Sequence, residues 1–344
     1  MADSTANRGG APRTYPGPTM FGGLGALGVI GHLLPWVIII VFYFIAEGYL
    51  SLGTQIMIWI LFAMSLDLAL GYAGIVTLGH AALFGFGAYC AGIFSIHITP
   101  DPLTGLIVTT ILTGGVGLVT GVLILHTTGV TFLMLTLAIL SMMFEYANRA
   151  RELTGGDDGL QGMDLAPLFG KFEFTLFGHT AYVLTAVVLF LWFLFSWRLV
   201  HSPFGRSLDG IRQNPKRMRA IGTPVWLRLV AIYTISSAMA GSAGALLAYQ
   251  TRFVGLSSLS LFTSGIVAVM LILGGTRRIY GAFVGATIYV VVQDQSAKIE
   301  PHLWEFVIGG MLILVVLFLE GGLMGLVDMV RDGLARAFAR KGRT

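Results

Sequence analysis

From residue 33 to residue 319 the chain alternates long apolar stretches with short polar interruptions. A helix crossing the hydrocarbon core of a bilayer needs about 20 mostly apolar residues. Ten segments meet or approach that requirement: Leu33–Ala46 with its flanks, Leu52–Leu70, Ile75–Ile96, Leu103–Leu125, Val130–Tyr146, Tyr182–Trp197, Leu227–Tyr249, Leu259–Leu273, Ala282–Val292 with its flanks, and Leu303–Leu319. Glycines interrupt the segments at 75–96 and 282–292 and weaken their helical pattern. The pattern predicts an all-α, polytopic membrane protein of about ten transmembrane helices.

Ten spans place both termini on one side, and the basic residues test that arrangement. With the N-tail, the loop 198–228, Arg277–Arg278 and the C-tail inside, 16 of the 21 Lys and Arg lie inside. Arg149, Arg151, Lys171, Arg252 and Lys298 fall outside, together with Asp101, Glu152, Asp157, Asp158, Asp164, Glu173, Asp294 and Glu300. Basic residues collect on the cytoplasmic side of membrane proteins, which predicts cytoplasmic N- and C-termini. Residues 1–32 read as a disordered cytoplasmic tail without a cleavable signal peptide, the first span serving as its own signal. Residues 320–344 read as a basic cytoplasmic tail.

Composition agrees. Hydrophobic residues make up 56% of the chain and charged ones only 11%, against about a quarter charged in soluble domains, and the mean hydropathy is +0.83. The single cysteine, Cys90, excludes an internal disulfide framework and a multi-cysteine metal cluster. The net charge of +4 is distributed as membrane orientation requires, so no nucleic-acid partner is inferred.

Three segments depart from generic apolar helix. The first, Gly71 to Tyr89, carries glycines at 71, 74, 79, 85 and 87. Irregular backbone at membrane depth is tolerated where protein or a water-filled path surrounds it. A broken helix beside a translocation path and dense packing through small residues therefore stand level as explanations. Asp67 and His80 are ionisable groups in or beside this region, which makes them functional candidates. Asp67 falls in the last turn of the second span, where solvation or capping would also account for it. For His80, a neutral imidazole bonded to a backbone carbonyl is favoured over a proton relay. No second histidine or carboxylate stands at metal-ligand spacing, so no metal site is expected.

The second segment, within the external loop 148–179, is Thr154-Gly155-Gly156-Asp157-Asp158-Gly159-Leu160, a run of turn formers with paired carboxylates. By itself it suits a solvated turn better than a docking surface. The third is the loop 198–228, with seven basic residues and one acidic, Asp209. Asn214 suits an N-cap, Pro215 the first helical position and Gly222 the position after the end. The short helix 215–221 puts Met218 and Ile221 on one face, ringed by Lys216, Arg217 and Arg219. So short a helix is marginal alone, and its apolar pair with a basic rim suits a protein groove better than a lipid surface.

At these segments the chain resembles the LivM-type permeases of branched-chain amino acid ABC importers. Gly71-Tyr72-Ala73-Gly74, Thr77-Leu78-Gly79-His80-Ala81-Ala82-Leu83-Phe84 and Gly85-Phe86-Gly87-Ala88-Tyr89 follow the family's first signature, and Thr154–Leu160 its second. Phe204-Gly205-Arg206, Asn214-Pro215, Ala220, Gly222 and the small-residue run Ala238–Leu246 follow the third. Leu273 to Gly281 is similar to the fourth, with Thr276–Arg278 where the family more often has glycine and small residues.

The apolar spans delimit a transmembrane permease domain at 33–319. The resemblance, which runs from about Leu50 to Leu319, implies a homologous LivH-type permease, two LivG/LivF-type cytoplasmic ATPases and a periplasmic substrate-binding protein. It implies that Asn214, Pro215, Lys216, Arg217, Met218, Arg219, Ala220, Ile221 and Gly222 form the ATPase-coupling helix. By the same resemblance, Thr154, Gly155, Gly156, Asp157, Asp158, Gly159 and Leu160 lie where the binding protein docks. Asp67, Gly74, Gly79, His80, Phe84, Gly85, Gly87 and Tyr89 would line or shape the translocation path, and the protein would reside in the bacterial inner membrane.

The lysines, at 171, 216, 298 and 341, lie in no phosphate-binding loop. No catalytic residue and no cofactor are expected on this chain, so ATP and Mg would sit on the partner ATPases. An ion-coupled secondary transporter is the principal rival, but it would call for midplane carboxylates, which are scarce here. An intramembrane enzyme would need a partner for His80. The solute stays open among branched-chain amino acids, urea, amides and aromatic or short carboxylates.

Overall fold

The computed structural model describes residues 26–45, 47–168, 178–299, 304–318 and 322–325. Most of both predicted tails, Lys171, Glu173, Glu300, Leu303 and Leu319 lie outside the described residues. Every predicted apolar segment carries helix: α1 (Ala26–Ile45), α2 (Leu50–Leu66), α3 (His80–His97), α4 (Pro102–Ile124) and α5 (Val130–Arg149). A single turn, α6 (Arg151–Thr154), precedes α7 (His179–His201), α8 (Pro203–Gln213), α9 (Pro215–Ala220) and α10 (Val225–Thr251). Then follow α11 (Leu261–Gly274), α12 (Ile279–Ile299) and α13 (Trp304–Phe318). Within the predicted N-tail, residues 26–32 are helical as part of α1.

Among the described residues, five helical stretches are long and apolar enough to cross a bilayer: Leu50–Tyr72, Pro102–Ile124, Val130–Arg149, His179–His201 and Val225–Thr251. The pair α11 and α12 meets the same criterion only when taken together, bent by 115° at its break as a broken span or a re-entrant loop would be. The apolar pattern predicts two separate full spans here, Leu259–Leu273 and Ala282–Val292 with its flanks. At 14 residues, α11 is short for a full crossing.

Central to the bundle is α10, packed on α2, α3 and α4. Its run Ala238–Leu246 and the glycines of its neighbours let the backbones meet. A Cβ on Gly87 would run into Gly241 Cα and carbonyl, one on Gly244 into the Phe84 carbonyl, and one on Gly241 into Thr113. Without a hydrophobic force between helices in lipid, such close van der Waals packing supplies much of the cohesion. Aromatic rings tie α1 to the bundle: Trp36 meets Phe190 and Phe193 of α7 and Phe283 of α12 edge-on.

Helix ends follow local chemistry. Asp101 accepts from the Thr104 N–H (3.1 Å) ahead of Pro102, Ser202 from Gly205 (3.3 Å) ahead of Pro203, and Ser260 from Thr263 (3.1 Å). Each side chain satisfies an N–H that the first helical turn leaves unpaired.

Candidate functional site

The first signature folds into three consecutive parts. Helix α2 continues as a π-helical stretch, Asp67–Tyr72; residues 73–79 are unwound; α3 then starts at His80. The predicted span 75–96 is thus helical only from His80. Gly74, Val76 and Leu78 are exposed along the unwound segment, whereas Gly79, His80, Phe84, Gly85, Gly87 and Tyr89 are buried inside the chain. For Gly85 and Gly87 the packing explanation holds: a Cβ on Gly85 would meet Leu259, and one on Gly87 would meet α10. The break itself is real, and it lies at 73–79.

His80 is 1% exposed, with its ring stacked on Phe62. Its Nε2 lies 2.8 Å from Ser65 Oγ, not on a backbone carbonyl as the sequence suggested. Ser236 donates to the Ser65 carbonyl (2.6 Å), and Ser264 Oγ accepts from the Ala81 N–H (2.9 Å). These serines pin α2, α3, α10 and α11 together. None of them was singled out by the sequence, because a lone serine in an apolar run carries no pattern.

Asp67 is 2% exposed, so it is not solvated as its place in the sequence allowed. It caps a different part of the chain. Its Oδ1 accepts from the Arg277 N–H at 2.8 Å, in the break between α11 and α12. Gly71 makes this reach feasible, because a Cβ there would collide with the carboxylate. Tyr72 adds a bond from its hydroxyl to the Arg277 carbonyl (3.1 Å). Arg277 has φ 66°, a left-handed conformation that costs a non-glycine residue about 1–2 kcal/mol. Its guanidinium in turn pairs with Asp209 of α8. Opposite charges at 209 and 277, in two loops assigned to the same side, are the trace of this cluster in the sequence.

The break between α11 and α12 is the fourth signature. A Cβ on Gly274 would strike the Gly281 carbonyl, and one on Gly285 the Met270 carbonyl, so the bent pair meets backbone to backbone. Thr276–Arg278 depart from the signature at the point where Arg277 makes its bonds.

Thr154–Leu160 forms a built loop. Thr154 Oγ1 donates to the Ala147 carbonyl (2.5 Å), and Leu160 pairs with Val254 through both backbone bonds (2.8 and 3.1 Å). Leu160 also lies against Gly92 of α3. Gly155, Gly156 and Gly159 are part of this frame, while Asp157 and Asp158 project outward, Asp157 facing Arg151 at 3.8 Å.

The loop 198–228 holds two helices. In α8, Leu208 and Ile211 are buried. Helix α9 has the predicted ends: Asn214 Oδ1 accepts from Arg217 N (3.0 Å), and Gly222 has φ 83°. The bonds from Gly222 N to Arg219 O and from Thr223 N to Met218 O, each 3.0 Å, close a Schellman motif. The predicted apolar pair separates, however. Met218 turns onto Gly210 of α8 and is half-buried, leaving Ile221 alone 69% exposed amid Lys216, Arg217 and Arg219. Among the described residues no cluster of three or more His, Cys, Asp or Glu could hold a metal ion.

Residues 48–316 match the family model described as the permease component of the branched-chain amino acid transport system. The chain is 25% identical over 310 residues to the high-affinity branched-chain amino acid transport permease LivM of Salmonella typhimurium, covering 82% of this chain and 71% of that protein. It is 24% identical over 324 residues to the probable LivM of Methanocaldococcus jannaschii, covering 78% and 92%. A shorter match, 31% over 142 residues, joins it to the autoinducer 2 import permease LsrC of an Enterobacter, covering 40% and 41%. No solved structure matches the chain.

Proposed function

The chain belongs to the branched-chain amino acid transport system permease family, and from that premise we propose that it is the membrane permease of an ATP-driven importer working by alternating access. It would carry a branched-chain amino acid or a related small polar solute from a periplasmic binding protein into the cytoplasm. Its ten apolar helices are read as ten spans with both termini cytoplasmic, in the bacterial inner membrane. A homologous LivH-type permease would complete the path, and two LivG/LivF-type ATPases would supply ATP hydrolysis with their own Mg.

One observation carries this reading: a capped, exposed helix, α9, set on a basic loop and anchored through α8 to the membrane core. A helix of six residues gains little by itself, so its two-ended capping preserves a shape for something to grip. We assign that grip to the ATPase groove, with Ile221 as the apolar contact and Lys216, Arg217 and Arg219 as its rim. The loop 154–160 would meet the binding protein through Asp157 and Asp158. The unwound residues 73–79, with Val76 and Leu78 outward, would border the path, while Asp67, His80, Phe84 and Tyr89 shape it from behind.

Reversing charge at Lys216, Arg217 and Arg219 tests the assignment. Substrate-stimulated ATP hydrolysis in proteoliposomes should vanish while insertion persists; unchanged coupling would exclude it. The match to autoinducer 2 permeases favours a second reading of cargo, a solute other than an amino acid. Ligand screening of the partner binding protein decides between them. Uptake that survived ATP depletion and collapsed with the proton gradient would mark an ion-coupled transporter instead.

A further inference from the structure

Arg277, in the break between α11 and α12, joins the π-helical stretch ahead of the second break, at 73–79, to the basic loop. Arg277 gives its N–H to Asp67 Oδ1 (2.8 Å) and accepts from the Tyr72 hydroxyl (3.1 Å) on its carbonyl. Those two partners stand at the ends of the π-helical stretch, immediately before the unwound residues 73–79. The Arg277 side chain points the other way, to Asp209 of α8. The aliphatic stem of Arg212, also on α8, lies against Gly74, the second residue of the unwound segment.

Helix α8 is joined on both sides. Leu208 and Ile211 are buried in the core, and Met218 of α9 packs over Gly210. A displacement of α9 therefore carries Asp209 with it. We propose that Arg277 is a positioning residue for transport, handing movement of the α8–α9 loop to the α11–α12 break and, through Asp67 and Tyr72, to the break at 73–79.

This inference rests on α9 being the ATPase contact. Coupling needs an element with discrete arrangements that both sites bias. Two helix breaks linked through one residue, Arg277 in the first bonded to Asp67 and Tyr72 just ahead of the second, can supply such an element, because each can turn without unfolding a whole helix. Apolar packing by itself would let α8 slide, whereas an ion pair to a backbone-locked arginine transmits both push and pull. The left-handed backbone of Arg277 (φ 66°) is held from three directions, which suits a residue whose position has to be maintained.

The test uses the complete importer containing this chain, reconstituted in proteoliposomes with its own partners. Asp209→Asn is isosteric, and Arg277→Gly accepts φ 66°; each breaks the ion pair and leaves the Asp67 backbone bond in place. Solute taken up per ATP hydrolysed should fall by at least about fivefold, the lower end of typical coupling between sites. Basal hydrolysis and the amount of ATPase bound should stay as in the parent. The swap, Asp209→Arg with Arg277→Asp, should regain part of the loss, and Asp209→Glu should retain more coupling than Asp209→Asn. A parental uptake-to-hydrolysis ratio in both single variants would overturn the proposal. So would equal losses in Asp209→Glu and Asp209→Asn without rescue by the swap, since that pattern means packing alone. Failure of the parent chain to bind any ATPase would instead overturn the reading of α9.

Discussion

The Ser65 hydroxyl and the His80 ring, 15 residues apart in sequence, form a closed pair: Ser65 Oγ donates to the Phe62 carbonyl at 2.6 Å and faces His80 Nε2 at 2.8 Å. A hydroxyl proton given to Phe62 leaves Ser65 Oγ to accept from Nε2 in the Nε2–H tautomer of His80. The histidine of the first signature is buried in the packed core, its ring stacked on Phe62.

A packing role predicts that His80→Ala lowers stability without altering solute recognition. A large-to-small change in a core costs about 2–5 kcal/mol, so the melting temperature of the detergent-solubilised protein should drop. The apparent affinity for solute in the surviving transporter should match the parent. An altered affinity would instead put the ring in contact with the solute.

The glycines divide into two groups by their surroundings. At Gly244 a Cβ would be driven into the Phe84 carbonyl, whereas at Gly115 nothing lies within 4 Å. Gly244→Ala should cost about 1–3 kcal/mol through overpacking, seen as reduced yield and thermal stability. Gly115→Ala should leave both unchanged or slightly raised.

Asn214→Ala removes the side chain that holds the first turn of α9. Losing such a cap costs about 1 kcal/mol of helix stability, which is large for a six-residue helix. Uptake should fall while insertion is unaffected, and Asn214→Asp, which also accepts from the Arg217 N–H, should restore it. Equal uptake in all three forms would show that the helix need not be preformed.

Thr154 holds the outward loop from beneath through its 2.5 Å bond to Ala147. Thr154→Val keeps the size and removes the hydroxyl, leaving a buried carbonyl short of one donor at a cost of about 1–3 kcal/mol. Faster proteolysis between residues 154 and 160 is expected. Asp157→Asn with Asp158→Asn should leave that rate alone while weakening capture of the binding protein, most clearly at low ionic strength.

Much of the molecule was legible without coordinates, because the governing physics is local. Apolar length located the helices, and Asn214, Pro215 and Gly222 marked the ends of α9, since capping acts within one turn. The four signatures identified the family that residues 48–316 match. Only the tertiary structure showed that Asp67 serves Arg277, 210 residues away, that α11 and α12 bend at 115°, and that Met218 folds inward while Ile221 stays open. Those outcomes depend on which backbones come within van der Waals contact. That is decided by glycines such as Gly71, Gly210 and Gly274, and their meaning appears only when the atoms opposite them are known.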